Sequence, residues 1–177
     1  MQYTSIYKSP IGNILFAADE IGLTGLWFDG QKYFARHLDP AHEERDLPVF
    51  ERVRKWLGIY FSGQKPDFMP PVHLLGTPFQ VSVWKLLQQI PYGQTTTYGE
   101  LAGKIAQEKG LAHMSAQAVG GAVGHNPISI IVPCHRVVGS DGSLTGYAGG
   151  VDKKKYLLSL EGMDVGKMIL PSKGTAL

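Results

Sequence analysis

The spacing of hydrophobic positions changes character near residue 70. Residues 2–8, 13–18 and 23–28 are short runs rich in β-branched and aromatic side chains, separated by Pro10-Ile11-Gly12 and Asp19-Glu20-Ile21-Gly22. Such runs between turn-forming clusters predict strands, and an antiparallel meander is the economical arrangement. Residues 31–47 are more charged and only weakly periodic. From Val49 the period lengthens: Phe50, Val53, Leu57 and Tyr60 fall at helical spacing, Trp56 and Phe61 widen the apolar face, and Ser62-Gly63 ends it. The stretch Lys65-Pro66-Asp67-Phe68-Met69-Pro70-Pro71 resists regular structure and is the best linker candidate. It puts a boundary between residues 71 and 76, and so predicts domains at 1–75 and 76–177.

Beyond the linker the pattern is mostly helical. Thr77-Pro78 reads as a cap followed by a first-turn proline, with Phe79, Val83, Leu86 and Ile90 as the apolar stripe. After a turn at Pro91-Tyr92-Gly93, Thr97 and Glu100 have capping-box spacing and open a helix through Ala106. A further helix is expected from Ser115 to Val123. The pair reads either as a helix-turn-helix with a long turn or as an ordinary helical hairpin. Three glycines among alanines across Ser115–Gly124 are unfavourable in a helix, each by about 1 kcal/mol relative to alanine. Small side chains there imply close approach of another backbone, either a packed neighbour or a nucleic-acid strand. Asn126-Pro127 stops the helix. Residues 128–132 form an apolar run with a buried-strand pattern, leading into Pro133-Cys134-His135-Arg136 and a glycine-rich loop at 139–150. A last helix is expected at 152–160, with Tyr156, Leu157 and Leu160 inward and Lys153-Lys154-Lys155 as a solvated face. That basic run sits at the unfavourable end of the helix dipole and hints at an anionic partner. The tail, 171–177, is expected to fray.

Composition narrows the class. In 177 residues, 44% hydrophobic and 18% charged, there is enough apolar material for real cores and too little charge for a disordered chain. No apolar run approaches the ~20 residues of a membrane span, and the start shows no export signal, so a cytoplasmic protein without membrane attachment is expected. A net charge of +2 permits nucleic-acid binding without requiring it. The single cysteine rules out an internal disulfide and a cysteine-rich zinc site, and neither a metal nor a cofactor is expected.

That cysteine carries the candidate chemistry. A lone intracellular cysteine is more often an inert buried side chain than a nucleophile. Cys134, however, ends an apolar run beside Pro133, with His135 and Arg136 following, and basic neighbours favour the reactive thiolate. On an extended segment, adjacent side chains point to opposite faces. His135 would then reach Cys134 only through a bridging water or at a bend, with a carboxylate to orient the ring. Glu161, at the end of the last helix, is the favoured candidate for that carboxylate.

The run Ile130-Ile131-Val132-Pro133-Cys134-His135-Arg136-Val137 resembles the active-site motif of the O6-alkylguanine-DNA alkyltransferases. The resemblance extends through Thr97-Tyr98-Gly99-Glu100-Leu101-Ala102, Ala118-Val119-Gly120-Gly121-Ala122, Asn126-Pro127, Gly146-Tyr147-Ala148-Gly149-Gly150 and Leu157-Leu158-Ser159-Leu160-Glu161-Gly162. These blocks cover nearly all of residues 77–162 in the family's order and spacing. The resemblance implies an α+β protein. A small N-terminal α/β domain with an antiparallel, ribonuclease-H-like sheet would precede a mostly helical winged-helix/helix-turn-helix domain. It implies a monomer that binds the minor groove of double-stranded DNA containing O6-alkylguanine, with O4-alkylthymine as a second candidate substrate. The base would be flipped out and its alkyl group moved to Cys134, once and irreversibly.

By the same resemblance His135 and Glu161 take up the thiol proton, and Tyr98 donates to the guanine ring as charge develops there. Asn126 holds the segment bearing Cys134. Backbone groups of Val137 and Ala148, with the Tyr147 ring beside them, read the flipped base. Thr97, Tyr98, Ser115, Ala116, Gln117, Ala118, Gly121 and Arg136 meet DNA. One departure stands out: Gln117 occupies the place of the arginine that fills the gap left by the flipped base. Two other classes are compatible with parts of the pattern. A winged-helix damage-binding protein would recognise the lesion without transfer, but needs no thiol. A cysteine hydrolase would use Cys134, but adjacency to His135 disfavours it.

Overall fold

The computed structural model describes residues 1–168, so the expectation for 171–177 lies outside the described residues. The chain divides into two compact units. One comprises residues 1–75 with 127–131, the other residues 76–126 with the chain from Val132 onward.

In the first unit β1 (Tyr3–Ser9), β2 (Gly12–Ala18) and β3 (Leu23–Phe28) form the antiparallel meander that the alternating runs predict. A short strand, β4 (Glu43–Glu44), adds in parallel to β1, giving the order β3-β2-β1-β4. Two charged residues carry no hydrophobic period, so the sequence pattern does not predict this strand. Helix α1 (Pro48–Phe61) packs on β1 and β2 through Phe50, Val53, Trp56, Leu57 and Tyr60, and Ser62 caps its end. Each such side chain contributes roughly 1.5–3 kcal/mol of burial. The outer edge of β3 is covered by irregular chain. Leu23 N–H donates to the Pro71 carbonyl and His73 N–H to that of Leu23, while Leu26 exchanges bonds with Pro127 and Ser129. Every residue of β3 is consequently buried.

The apolar run at 128–132 is not a strand, contrary to its pattern. Ile128 makes an isolated bridge to Leu26, after which the chain turns, and Ile130 adopts φ 69°. A β-branched residue in the left-handed region costs on the order of 1–2 kcal/mol. The run is apolar because these residues are buried. A short apolar segment does not reveal by period whether it is strand or buried turn.

The second unit contains α2 (Pro78–Leu87), α3 (Tyr98–Glu108), α4 (Ala116–Gly124) and α5 (Val151–Leu160). Thr77 and Gln80 form a complete capping box on α2. On α3 only half of the expected box exists: Thr97 accepts from Glu100 N–H, but the Glu100 carboxylate takes the Thr96 hydroxyl instead. Helices α2, α3 and α4 pack on one another, and Trp84 Nε1 donates to the Ala122 carbonyl at 2.8 Å. A two-residue parallel ladder joins β5 (Thr96–Thr97) to β6 (Val137–Val138), bringing the start of α3 beside the residues that follow Cys134.

Helix α5 corrects a sequence expectation. Its inward residues are Lys154, Leu157 and Leu158, at i, i+3 and i+4, whereas Tyr156 is 37% exposed and Leu160 only half-buried. The lysine run is therefore not a uniformly solvated face. Among the described residues, no helix is long and apolar enough to cross a membrane.

Candidate active site

Cys134, 5% exposed, opens a 3₁₀ turn spanning Cys134–Arg136. The alternation argued for an extended segment therefore does not apply. Asn126, just beyond α4, controls this turn: its Nδ2 donates to the Val132 carbonyl at 2.8 Å and its side chain also hydrogen-bonds Cys134. Burial pushes the thiol above its ordinary value, while the Asn126 hydrogen bond and the nearby Lys154 charge oppose that rise without cancelling it. The resting side chain is a thiol, and making it a nucleophile requires a base.

The next residue is the candidate. His135 is fully buried, and its Nε2 lies 2.5 Å from Glu161 Oε2. Burial lowers the imidazole below its usual value despite the adjacent carboxylate, so it is neutral at neutral pH. Burial works against the Glu161 carboxylate too, but hydrogen bonds and charges from His135 and Arg136 outweigh it and hold the group ionised. An ionised carboxylate only accepts, so His135 Nε2 must carry the proton and Nδ1 is the basic nitrogen. Glu161 Oε1 also accepts from Gly93 N–H at 2.9 Å and from Arg136 Nε at 2.8 Å.

Arg136 departs from its expected role in DNA contact. Its guanidinium is buried, donating to both Glu161 oxygens and, through Nη1, to the Ile90 carbonyl at 2.7 Å. A buried cation must be paired, and these partners satisfy it inside the unit.

Tyr98, the first residue of α3, directs its hydroxyl to the Thr145 carbonyl at 2.8 Å. Burial, opposed by that hydrogen bond and aided by the neighbouring Cys134, pushes the phenol up to about 12. Lys154 was missed as a site residue. Its Nζ donates to the Val137 and Thr145 carbonyls, each at 2.5 Å, and lies 6.0 Å from the centre of the Tyr98 ring. Burial lowers the ammonium to about 8, against a raising effect of Cys134. Its i, i+3, i+4 relation to Leu157 and Leu158 was the available signal. Val137, whose backbone is expected to meet a flipped base, thus has a carbonyl that already holds one donor, although a second lone pair remains. Tyr147 is buried with its ring edge-on to His135, centroids 6.5 Å apart, and Ala148 follows half-buried.

Ser115, Ala116, Gln117, Ala118 and Gly121 share an exposed face of α4, and Ser115 caps its start by accepting from Ala118 N–H. A β-carbon on Gly121 or Gly124 would meet nothing within 4 Å, and one on Gly120 would make only ordinary contact with the Tyr98 ring. Among the described residues, no neighbour demands these glycines. Beside this face, Gly99, Ala102, Gly103 and Ala106 of α3 with Met114 and Ala116 line an open groove of about 450 Å³. Thr97, the α3 cap, is half-buried.

Comparison with known proteins agrees across both units. Residues 2–74 match the ribonuclease-like domain of 6-O-methylguanine DNA methyltransferase, and residues 78–163 match its DNA binding domain. The chain is 42% identical over 160 residues to the methylated-DNA–protein-cysteine methyltransferase of Haemophilus influenzae, covering 90% of this chain and 86% of that protein. It is 46% identical over 160 residues to the protein of that name in Methanosarcina acetivorans, covering 90% and 98%. The crystal structure of Mycobacterium tuberculosis OGT in complex with DNA is similar at a TM-score of 0.77 and 43% identity, covering 90% of this chain and 92% of that one. The O6-methylguanine methyltransferase of the same organism gives 0.76 and 42%, covering 91% and 93%. With both domains matched in order and more than 40% identity to these relatives, the chain belongs to the 6-O-methylguanine DNA methyltransferase family.

Proposed function

We propose that this protein repairs O6-alkylguanine in duplex DNA by transferring the alkyl group irreversibly to Cys134. The observation that carries the proposal is the buried Cys134 thiol preceding a neutral His135 held by Glu161, in a unit that matches the family's DNA binding domain. Residues 76–177 act as the alkyltransferase domain and residues 1–75 as the N-terminal domain, in a cytoplasmic monomer.

DNA lies with its minor groove against Ser115, Ala116, Gln117, Ala118 and Gly121, with Thr97 and Tyr98 beside it. Glycine and alanine on that face let a sugar–phosphate backbone come close, which accounts for a composition that helix propensity disfavours. The damaged base leaves the stack, because its O6 substituent is otherwise out of reach. Backbone groups of Val137 and Ala148 hold it beside the Tyr147 ring. A bridging water passes the Cys134 proton to His135, and Glu161 stabilises the imidazolium. The sulfur attacks the alkyl carbon; a carbon–sulfur bond forms as the carbon–O6 bond breaks, and the electron pair leaves with guanine. Tyr98 donates to the ring that receives this charge. The product is a thioether, which water does not hydrolyse, so each chain acts once.

The test is to incubate the protein with excess duplex containing O6-methylguanine and weigh it intact. A gain of one methylene per chain, located on Cys134 and absent from Cys134→Ala while that variant still binds DNA, is expected. An unchanged mass alongside DNA binding would point to lesion recognition without transfer and overturn the proposal.

A further inference from the structure

We propose that Lys154 is a positioning residue for alkyl transfer: it keeps the Thr145 carbonyl hydrogen-bonded when the Tyr98 hydroxyl leaves that carbonyl for the flipped base. The inference rests on the reading of Cys134 as nucleophile and Tyr98 as donor.

The argument begins at one oxygen. The Thr145 carbonyl accepts from the Tyr98 hydroxyl at 2.8 Å and from Lys154 Nζ at 2.5 Å. A phenol has one proton to donate, so Tyr98 engaged with Thr145 has none for a substrate. To act on a base, its O–H must turn away. With no second donor, that movement would leave a part-buried carbonyl without its protein hydrogen bond, at part of the desolvation cost of a buried acceptor. Lys154 removes the cost, because its ammonium remains on Thr145 and on Val137 throughout. The hydroxyl is thus exchangeable, not locked.

Two features of the surroundings fit this exchange. Lys154 is 0% exposed and shares its face of α5 with Leu157 and Leu158, so core packing sets its position. A methionine would fill similar space without taking a charge out of water, so the ammonium is a poor choice for packing alone. Gly146, next to Thr145, has φ 76°, and a β-carbon there would stand 2.7 Å from the Tyr98 hydroxyl. Its absence leaves the hydroxyl room to move. The titratable groups facing the ammonium are the Tyr98 phenol, the Cys134 thiol and the His135 imidazole.

Single-turnover transfer from O6-methylguanine duplex to the full chain tests the inference in wild type, Tyr98→Phe, Lys154→Met and the double variant, with DNA affinity measured separately. Each single substitution should slow transfer by about tenfold, and Lys154→Met should do so with duplex affinity unchanged. In the Lys154→Met background, Tyr98→Phe should add less than about twofold, because the hydroxyl is already held on Thr145. Independent effects, giving a double variant slowed about a hundredfold, would overturn the proposal, as would wild-type speed in Lys154→Met. Should Lys154→Met fail to fold, pH profiles of wild type and Tyr98→Phe decide instead. The wild-type rate should fall relative to Tyr98→Phe as pH rises through about 8, where the ammonium loses its proton; a ratio independent of pH overturns the exchange. Failure of wild type to methylate Cys134 would defeat the underlying function. Normal transfer by Tyr98→Phe would defeat the role of Tyr98 alone, and this inference with it.

Discussion

Replacing Glu161 by glutamine changes one atom of a carboxylate that serves Gly93, His135 and Arg136 together. The stability cost comes from Arg136, which is buried and would lose its counter-charge. Removing one partner of a buried ion pair typically costs ~3–5 kcal/mol. Glutamine keeps the shape and one acceptor, and Arg136 keeps the Ile90 carbonyl. A loss near the lower end, about 3 kcal/mol, is therefore expected. For a chain of this size that lowers the melting temperature by roughly 6–12 °C. The chemical cost is separate. An amide nitrogen turned toward His135 would demand the other tautomer, placing the proton on Nδ1 and removing the base. General-base loss is worth ~10²–10⁴ in rate. Thermal melting and single-turnover transfer, measured well below the variant's melting temperature, read the two effects apart. A variant that melts like wild type would refute the buried-pair argument. One that melts low but transfers at the wild-type rate would refute the role of Glu161 in holding the imidazole.

Three further outcomes follow from the same geometry. Gln117→Arg puts a longer, charged donor on the exposed face of α4, and should accelerate transfer from duplex by about fivefold while leaving reaction with the free alkylated base unchanged; equal acceleration of both would show that base extrusion is not the step affected. Gly146→Ala combines strain at φ 76° with a collision at the Tyr98 hydroxyl. It should cost about 1–2 kcal/mol in denaturant unfolding, and unchanged stability would count against this loop conformation. His135 titrates below its ordinary 6.5 in the folded state, so the unfolded chain binds the proton first as pH falls. Its contribution to stability should decline from pH 6.5 down to the folded-state value, and His135→Gln should lose that part of the pH dependence.

What was legible in the sequence was local. The strands of the meander, the α1 stripe and the caps at Thr77 and Thr97 depend on residues two to four positions apart, so periodicity and capping chemistry reveal them directly. Cys134 stood out because its motif is contiguous, and Glu161 because it ends the last helix and lies within the resemblance. The two-residue pairings of β4 with β1 and β5 with β6 were not legible, since two residues carry no period. Nor was the destination of Arg136, whose partners lie 25 positions ahead at Glu161 and 46 behind at Ile90. A charged side chain enters a core only where distant backbone or carboxylate oxygens are waiting for it, and the folded chain alone decides where those oxygens lie. The same reason hid Lys154: its charge reads as surface until Val137 and Thr145 are brought around it as acceptors. Ile130 is the converse case, where burial holds a β-branched residue at a backbone angle its own preference opposes.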